Sequence, residues 1–268
     1  MNKMAEDAIL ESVKDYVGTI TFNRPERRNA LSTDMLFTLH LLLEKWAQDG
    51  AVRCVVITGG QGKAFSSGYD IASIPTQVSP EMEELIKNHN PLELAFSSLK
   101  NFPYPTIAAW NGYAFGAGLN LSMCCDMRIA CREAKVGMPP AKLGLVYHPA
   151  GLVEFIQAAG MAATRELFFT ARNFTAQEAF EMGLVNHVVP KEELFPFVDA
   201  MAAEIASNAP ISLRNTKKIL NMLEKSISLS AEDKAAAELL QAEGFASEDL
   251  REGQMAFLEK RKPNFKGR

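Results

Sequence analysis

An α/β fold is predicted by three features of the 268-residue chain. Two short apolar runs, RCVVITG and PTIAAW, read as strands buried on both faces. Each follows a segment whose apolar residues recur at helical spacing. The last third is largely helical in pattern. Strand–helix alternation of this kind favours parallel pairing through right-handed crossovers.

The elements follow in order. AILESVKDYVGTITFNRP alternates apolar and polar residues on either side of Lys14-Asp15, which predicts a β-hairpin. A helix comes next, capped by Ser32 or Thr33. Met35, Leu36, Leu39, Leu42, Leu43 and Trp46 line one face of it, and Gly50 ends it. After RCVVITG, a helical segment from about Glu81 to Leu99 leads into PTIAAW. DMRIA predicts a further strand and AKVGM a short one. From Gly151 onward helices dominate, except for the strand-like LVNHVV at residues 184–189. ELFPFVDAMAAEIASN, SLRNTKKILNML and SAEDKAAAELLQAEGF are all amphipathic. No repeat, low-complexity tract or Gly/Ser linker interrupts the chain.

Composition narrows the function. Hydrophobic residues make up 47% and charged residues 22%, as in ordinary globular proteins. A net charge of −4 gives no electrostatic case for nucleic acid or an anionic membrane as partner. No apolar run reaches the roughly 18 residues that a spanning helix needs. His40, His89, His148 and His187 are scattered, so no zinc ligand set is expected. The four cysteines form no CxxC pair, and no secretory signal opens the chain; a reducing, cytoplasmic setting is expected. His40, His187, Met123, Cys124 and Cys125 are expected to serve packing, and His89 to lie on the surface.

Two glycine-rich segments can present backbone amides. TGGQGKAFSSGYDI, residues 58–71, lacks the GxxxxGK[ST] spacing of a phosphate loop. GAGLNL, residues 116–121, matches only two glycines of a dinucleotide fingerprint, with Leu121 at the third position. Each segment follows a predicted strand, and the second opens an apolar helix whose first amides favour negative charge. Either the two are tight turns packed on the sheet, or together they form an oxyanion hole.

AFSSGYDI resembles the first oxyanion segment of the enoyl-CoA hydratase/isomerase (crotonase) superfamily, and NGYAFGAGLNLSMCCDMRIA resembles its second. NRPERRNALS is similar to the family's N-terminal segment and TAQEAFEMGLVNHVVP to its late helix–strand segment. SEDLREGQMAFLEKRKPNFKGR is similar to its C-terminal helix and tail. These blocks cover nearly the full chain in the family's order. The resemblance implies a spiral of ββα units over residues 1–200 that holds the oxyanion hole and acyl-CoA site. It implies a helical region over residues 201–268 for oligomerisation and completion of the CoA site. It further implies an acyl-CoA thioester substrate, a homotrimer or homohexamer, and coenzyme A only as part of the substrate.

By position, the oxyanion amides are those of Tyr69 and Ala117. Arg28, Lys63, Ala64, Ser66, Asp70 and Ile71 stand where the family lines its CoA channel. Phe257 and Lys260 match positions that often complete that site from a neighbouring subunit. The tail KRKPNFKGR suits phosphates or is simply a solvated charged end.

The chain departs from the family's hydratases at both catalytic glutamates. Asn120 occupies one position and Pro140 the other, and neither transfers a proton as a carboxyl group does. Tyr147 and His148 follow closely. The branch resembling methylmalonyl-CoA decarboxylase also has a proline at the second glutamate and a tyrosine at the position of Tyr147. Position 148 is where some isomerases and chlorobenzoyl-CoA dehalogenases place a carboxylate, and histidine there can act as a base. Tyr147 and His148 are thus either catalytic or parts of a packed loop. Asn120 either bonds substrate or water in the pocket, or is a structural helix amide. The expected enzyme is decarboxylase-, isomerase- or hydrolase-like, and the rival is a non-catalytic acyl-CoA-binding or assembly subunit.

Overall fold

The computed structural model describes residues 8–70, 90–224 and 231–266. The chain starts with the expected hairpin. Strands β1 (Ile9–Lys14) and β2 (Val17–Phe22) pair antiparallel around Asp15 and Tyr16, both with positive φ. Ser32 caps helix α1 (Thr33–Asp49) by accepting the Met35 N–H, and Gly50 ends it in the left-handed region. The helix buries all six of the apolar residues that predicted it.

Two sheets then grow together. Strands β3 (Cys54–Thr58), β5 (Thr106–Trp110), β7 (Met127–Cys131) and β10 (His187–Val189) extend the hairpin into a six-stranded sheet ordered β1-β2-β3-β5-β7-β10. All pairings beyond the hairpin are parallel. Every residue of β3 and β5 is buried, as their unbroken apolar runs require. Strands β4 (Ala64–Ser66), β6 (Tyr113–Phe115), β8 (Lys135–Gly137) and β9 (Phe174–Thr175) make a second, four-stranded sheet in that order. Helices α2 (Pro91–Asn101), α3 (Gly116–Met123) and α4 (Pro149–Thr170, broken at Gly160) each follow one strand of the large sheet and one of the small. This is the spiral of ββα units that the resemblance implies. The part of the expected Glu81–Leu99 helix before residue 90 lies outside the described residues.

Past the spiral come α5 (Ala176–Glu181), α6 (Leu194–Ser207), α7 (Pro210–Glu224), α8 (Ala231–Ala246) and α9 (Glu248–Leu258). Helix α6 spans residue 200 and lies on the large sheet, burying Leu194, Val198, Ala202 and Ala206. A polar anchor docks α7. Lys217, only 5% exposed, donates to the Tyr104 carbonyl at 3.0 Å and to Asp126 Oδ2 at 2.7 Å. Lys100 adds a second tie, pairing with Glu154 of α4 at 3.0 Å and Glu224 of α7 at 3.3 Å. Helix α9 packs along the 3-10 turn Pro140–Leu143.

Candidate active site

The first glycine-rich turn leaves β4 and is pinned on its outer side. Gly68 adopts φ +106, a conformation open to little but glycine. Its carbonyl accepts the Leu31 N–H at 2.8 Å, and the Asp70 N–H donates to the Leu31 carbonyl at 2.9 Å. In a parallel bridge of this kind the middle residue, Tyr69, turns its own N–H away from the partner strand. The side chains reinforce the arrangement. Arg24 donates to Asp70 Oδ2 at 3.0 Å and to the Ala30 carbonyl at 2.8 Å. Buried Asn29 and Asn111 both donate to the Ala64 carbonyl, at 2.8 and 3.2 Å.

The second turn lies beside the first because β4 and β6 are neighbours, with Ala64 opposite Tyr113 and Ser66 opposite Ala114. Gly116 begins α3 with φ +52, and Ala117 follows in its first turn, where helix amides have no internal partner. A Cβ placed on Gly68 would lie 3.1 Å from the Phe115 carbonyl oxygen and 3.5 Å from the Ala117 nitrogen. The backbones of the two turns therefore touch. Among the described hydrogen bonds, neither the Tyr69 nor the Ala117 amide donates to a protein group.

One helical turn beyond Ala117 stands Asn120, 1% exposed. The Tyr147 hydroxyl donates to its Oδ1 at 2.7 Å. The Tyr147 ring meets Phe168 at a centroid distance of 5.2 Å, and Phe168 meets Phe155 edge-on at 5.1 Å. A Cβ at Gly151 would come within 2.5 Å of this ring and 2.7 Å of Asn120 Oδ1, so glycine at 151 makes room for the pair. Burial, with a smaller effect from Cys124, pushes the Tyr147 hydroxyl well above its ordinary pKa. Pro140 is buried at the start of its 3-10 turn. His148 is occupied differently: its Nδ1 accepts the Ala150 N–H at 3.3 Å and caps α4.

The remaining sequence-derived residues are placed as follows. Ser66 is fully buried, and its Oγ accepts the Gly68 N–H at 3.2 Å; Ser66 and Asp70 therefore shape the first turn through protein partners. Ala64 is buried beneath the two asparagines. Arg28 and Lys63 are exposed, and their carbonyls accept the Ser67 and Tyr113 amides. Ile71 and His89 lie outside the described residues. Phe257 and Lys260 are exposed at the end of α9, and no described contact brings them to the two turns. In the tail, Arg261 pairs with Glu252 and Glu259. Half-buried His40 bonds Ser98 at 2.5 Å, and His187, exposed on β10, packs on Phe197.

Arg24, Asn29, Asn111 and Gly151 were not singled out by sequence reasoning. The only local cue was glycine or asparagine beside a predicted turn. Their deciding partners lie tens of residues away: Asp70 for Arg24, Ala64 for Asn29 and Asn111, and Asn120 for Gly151.

Chemically, the arrangement offers unengaged backbone donors, a neutral amide and a protonated phenol. All four cysteines are free and buried, and burial raises every one of these thiols, Cys54 and Cys125 to about 12. They supply no thiolate nucleophile at neutral pH. Among the described residues no helix is long and apolar enough to cross a membrane, and no His/Cys/Asp/Glu group is placed to hold a metal ion.

Residues 12–268 match the model of the family described as enoyl-CoA hydratase/isomerase. Crotonyl-CoA hydratase of Syntrophomonas wolfei is 34% identical over 98% of this chain and 99% of its own length. Methylmalonyl-CoA decarboxylase of Escherichia coli is 32% identical over 94% of this chain and 95% of its own. A crystal structure of methylmalonyl-CoA decarboxylase superposes with a TM-score of 0.88 at 31% identity, covering 97% of this chain and 98% of that one.

Proposed function

The chain belongs to the enoyl-CoA hydratase/isomerase (crotonase) family of acyl-CoA enzymes, and from that premise we propose that it stabilises a thioester enolate without a hydratase's pair of glutamates. One observation carries this reading. The Gly68–Tyr69 and Gly116–Ala117 turns touch with both following amides unengaged, one helical turn from an asparagine. In this reading the Tyr69 and Ala117 amides hold the thioester oxygen as charge builds on it. Loss of one such donor costs about 3 kcal/mol in comparable acyl-transfer sites.

Decarboxylation suits these side chains best. Breaking the bond between Cα and a carboxylate releases CO2 and moves the electron pair onto the thioester oxygen. No base is needed to form the enolate, and a proton then returns to Cα from solvent or a nearby donor. Hydration needs acid–base groups worth about 100- to 10,000-fold each, and Asn120 and Pro140 supply neither. Coenzyme A enters as part of the substrate, along the exposed Arg28 and Lys63 side of the first turn. Phe257 and Lys260 would complete its site from a neighbouring copy.

A homotrimer or homohexamer is part of the same reading. Ile211, Ile219, Leu220, Met222 and Leu223 of α7 stand exposed in the single chain, as do Leu239 and Leu240 of α8. Apolar area on this scale marks an association surface. The free buried thiols suit the reducing cytoplasm.

Mass-spectrometric screening of malonyl-, enoyl- and cyclic acyl-CoA thioesters tests the proposal. Turnover of a carboxylated acyl-CoA with negligible hydration of crotonyl-CoA is expected. Robust crotonyl-CoA hydration would overturn the reading. Tight acyl-CoA binding with no turnover of any thioester would favour a non-catalytic binding subunit instead.

A further inference from the structure

The two ends of the Asn120 side chain have different surroundings. Oδ1 accepts a hydrogen bond from the Tyr147 hydroxyl at 2.7 Å. Nδ2 is buried and has no hydrogen-bond partner among the described residues. Protein interiors rarely leave such a donor unpaired, and an orphan at a site calls for an acceptor from outside the chain. In the structure the hydroxyl of Tyr147 donates to Oδ1, which leaves Nδ2 as the free end of the amide. The phenol ring packs between Phe168 and the bare backbone of Gly151.

We propose that Asn120 Nδ2 is a specificity-determining donor for an acyl group bearing a carboxylate beside the thioester, an inference that rests on the enolate reading above. A glutamate at position 120 would repel such a carboxylate, whereas the amide is neutral and donates to it. The position fits, since Asn120 follows Ala117 by one turn of α3 and so stands next to the proposed thioester carbonyl. The surroundings fit as well. Among the described residues no lysine or arginine side chain bonds Asn120 or Tyr147. A carboxylate held there is oriented by a hydrogen bond while keeping its charge, which leaves it able to depart as CO2.

Two unreactive thioethers test the assignment by calorimetry: 2-carboxypropyl-CoA, and propyl-CoA, which lacks only the carboxyl group. The wild-type chain should bind the carboxylated analogue about tenfold more tightly, the scale of one charge-assisted hydrogen bond. Asn120→Ala should abolish that preference, and Asn120→Asp should reverse it, each read as the ratio of the two thioether affinities within one variant. Equal binding of the two thioethers by wild type, or a preference that survives both substitutions, would overturn the role of Asn120 and leave the acyl-CoA reading standing. Failure of wild type to bind either thioether would remove both.

Discussion

A Cβ added at Gly118 would fall inside the Ser66 side chain, overlapping both its Cβ and its Oγ. Ser66 itself is fully buried and accepts the Gly68 N–H. A side chain of one turn thus rests on bare backbone of the other, and this contact sets how closely the two amides approach. Overpacking such a contact costs about 1–3 kcal/mol. Gly118→Ala should lower the urea midpoint accordingly and depress turnover on the true substrate. Adding Ser66→Gly should restore part of both. Full turnover in Gly118→Ala would mean that the spacing of the turns does not limit the chemistry.

The proton inventory of the Asn120–Tyr147 pair predicts a flat pH profile. Asn120 and Pro140 do not titrate, and burial raises Tyr147 above its ordinary value of 10.0. Turnover should therefore vary little between about pH 6 and pH 9, since no group of this pair changes charge there. Stability behaves differently at the alkaline end. The unfolded chain releases the tyrosine proton near pH 10 while the folded chain retains it, so stability falls as pH rises beyond that point. Tyr147→Phe should reduce the alkaline loss by the tyrosine's share, the four buried thiols keeping theirs, as read from urea midpoints of variant and wild type on either side of pH 10.

His148 separates two roles by its substitutions. Its Nδ1 accepts the Ala150 N–H at the start of α4, so His148→Ala should cost about 0.5–2 kcal/mol of stability, the usual worth of an N-cap. Asparagine is a better cap and cannot act as a base. His148→Asn should keep both stability and turnover if the imidazole only caps the helix. A stable His148→Asn variant with its turnover lost would assign the ring to proton transfer.

Much of this was legible in the sequence, and the rest was not for identifiable reasons. The hairpin, helix α1 with its Ser32 cap, and strands β3, β5 and β7 follow from periodicity and apolar runs. Of the second sheet only β8 was foreseen, as the short strand in AKVGM; β4, β6 and β9 are two or three residues long, too short to display a period. LVNHVV yielded only His187–Val189 as strand. In the site, glycine density marked both turns. The Asn120–Tyr147 bond joins residues 27 apart and the Arg24–Asp70 pair residues 46 apart. Such pairings depend on how the spiral winds, which no local window of sequence contains.

The widest-reaching of these links gives the last prediction. Lys217 joins α7 to Asp126, 91 residues away, and Asp126 Oδ2 also accepts from the Thr106 amide and hydroxyl at the start of β5. The lysine is buried and the carboxylate is partly exposed. Lys217→Ala leaves a carboxylate facing a vacated apolar space, whereas Lys217→Met fills the space but not the charge. Breaking a fully buried pair costs about 3–5 kcal/mol, and the exposure of Asp126 brings the expected loss to the lower end of that range. Because α7 carries exposed apolar residues of the proposed subunit interface, the loss should also appear as dissociation at low protein concentration. Light scattering alongside urea denaturation checks both effects. Adding Asp126→Asn to Lys217→Met should recover stability, since that pair retains shape without charge; no loss in Lys217→Met to begin with would mean that α7 is held by its apolar contacts alone.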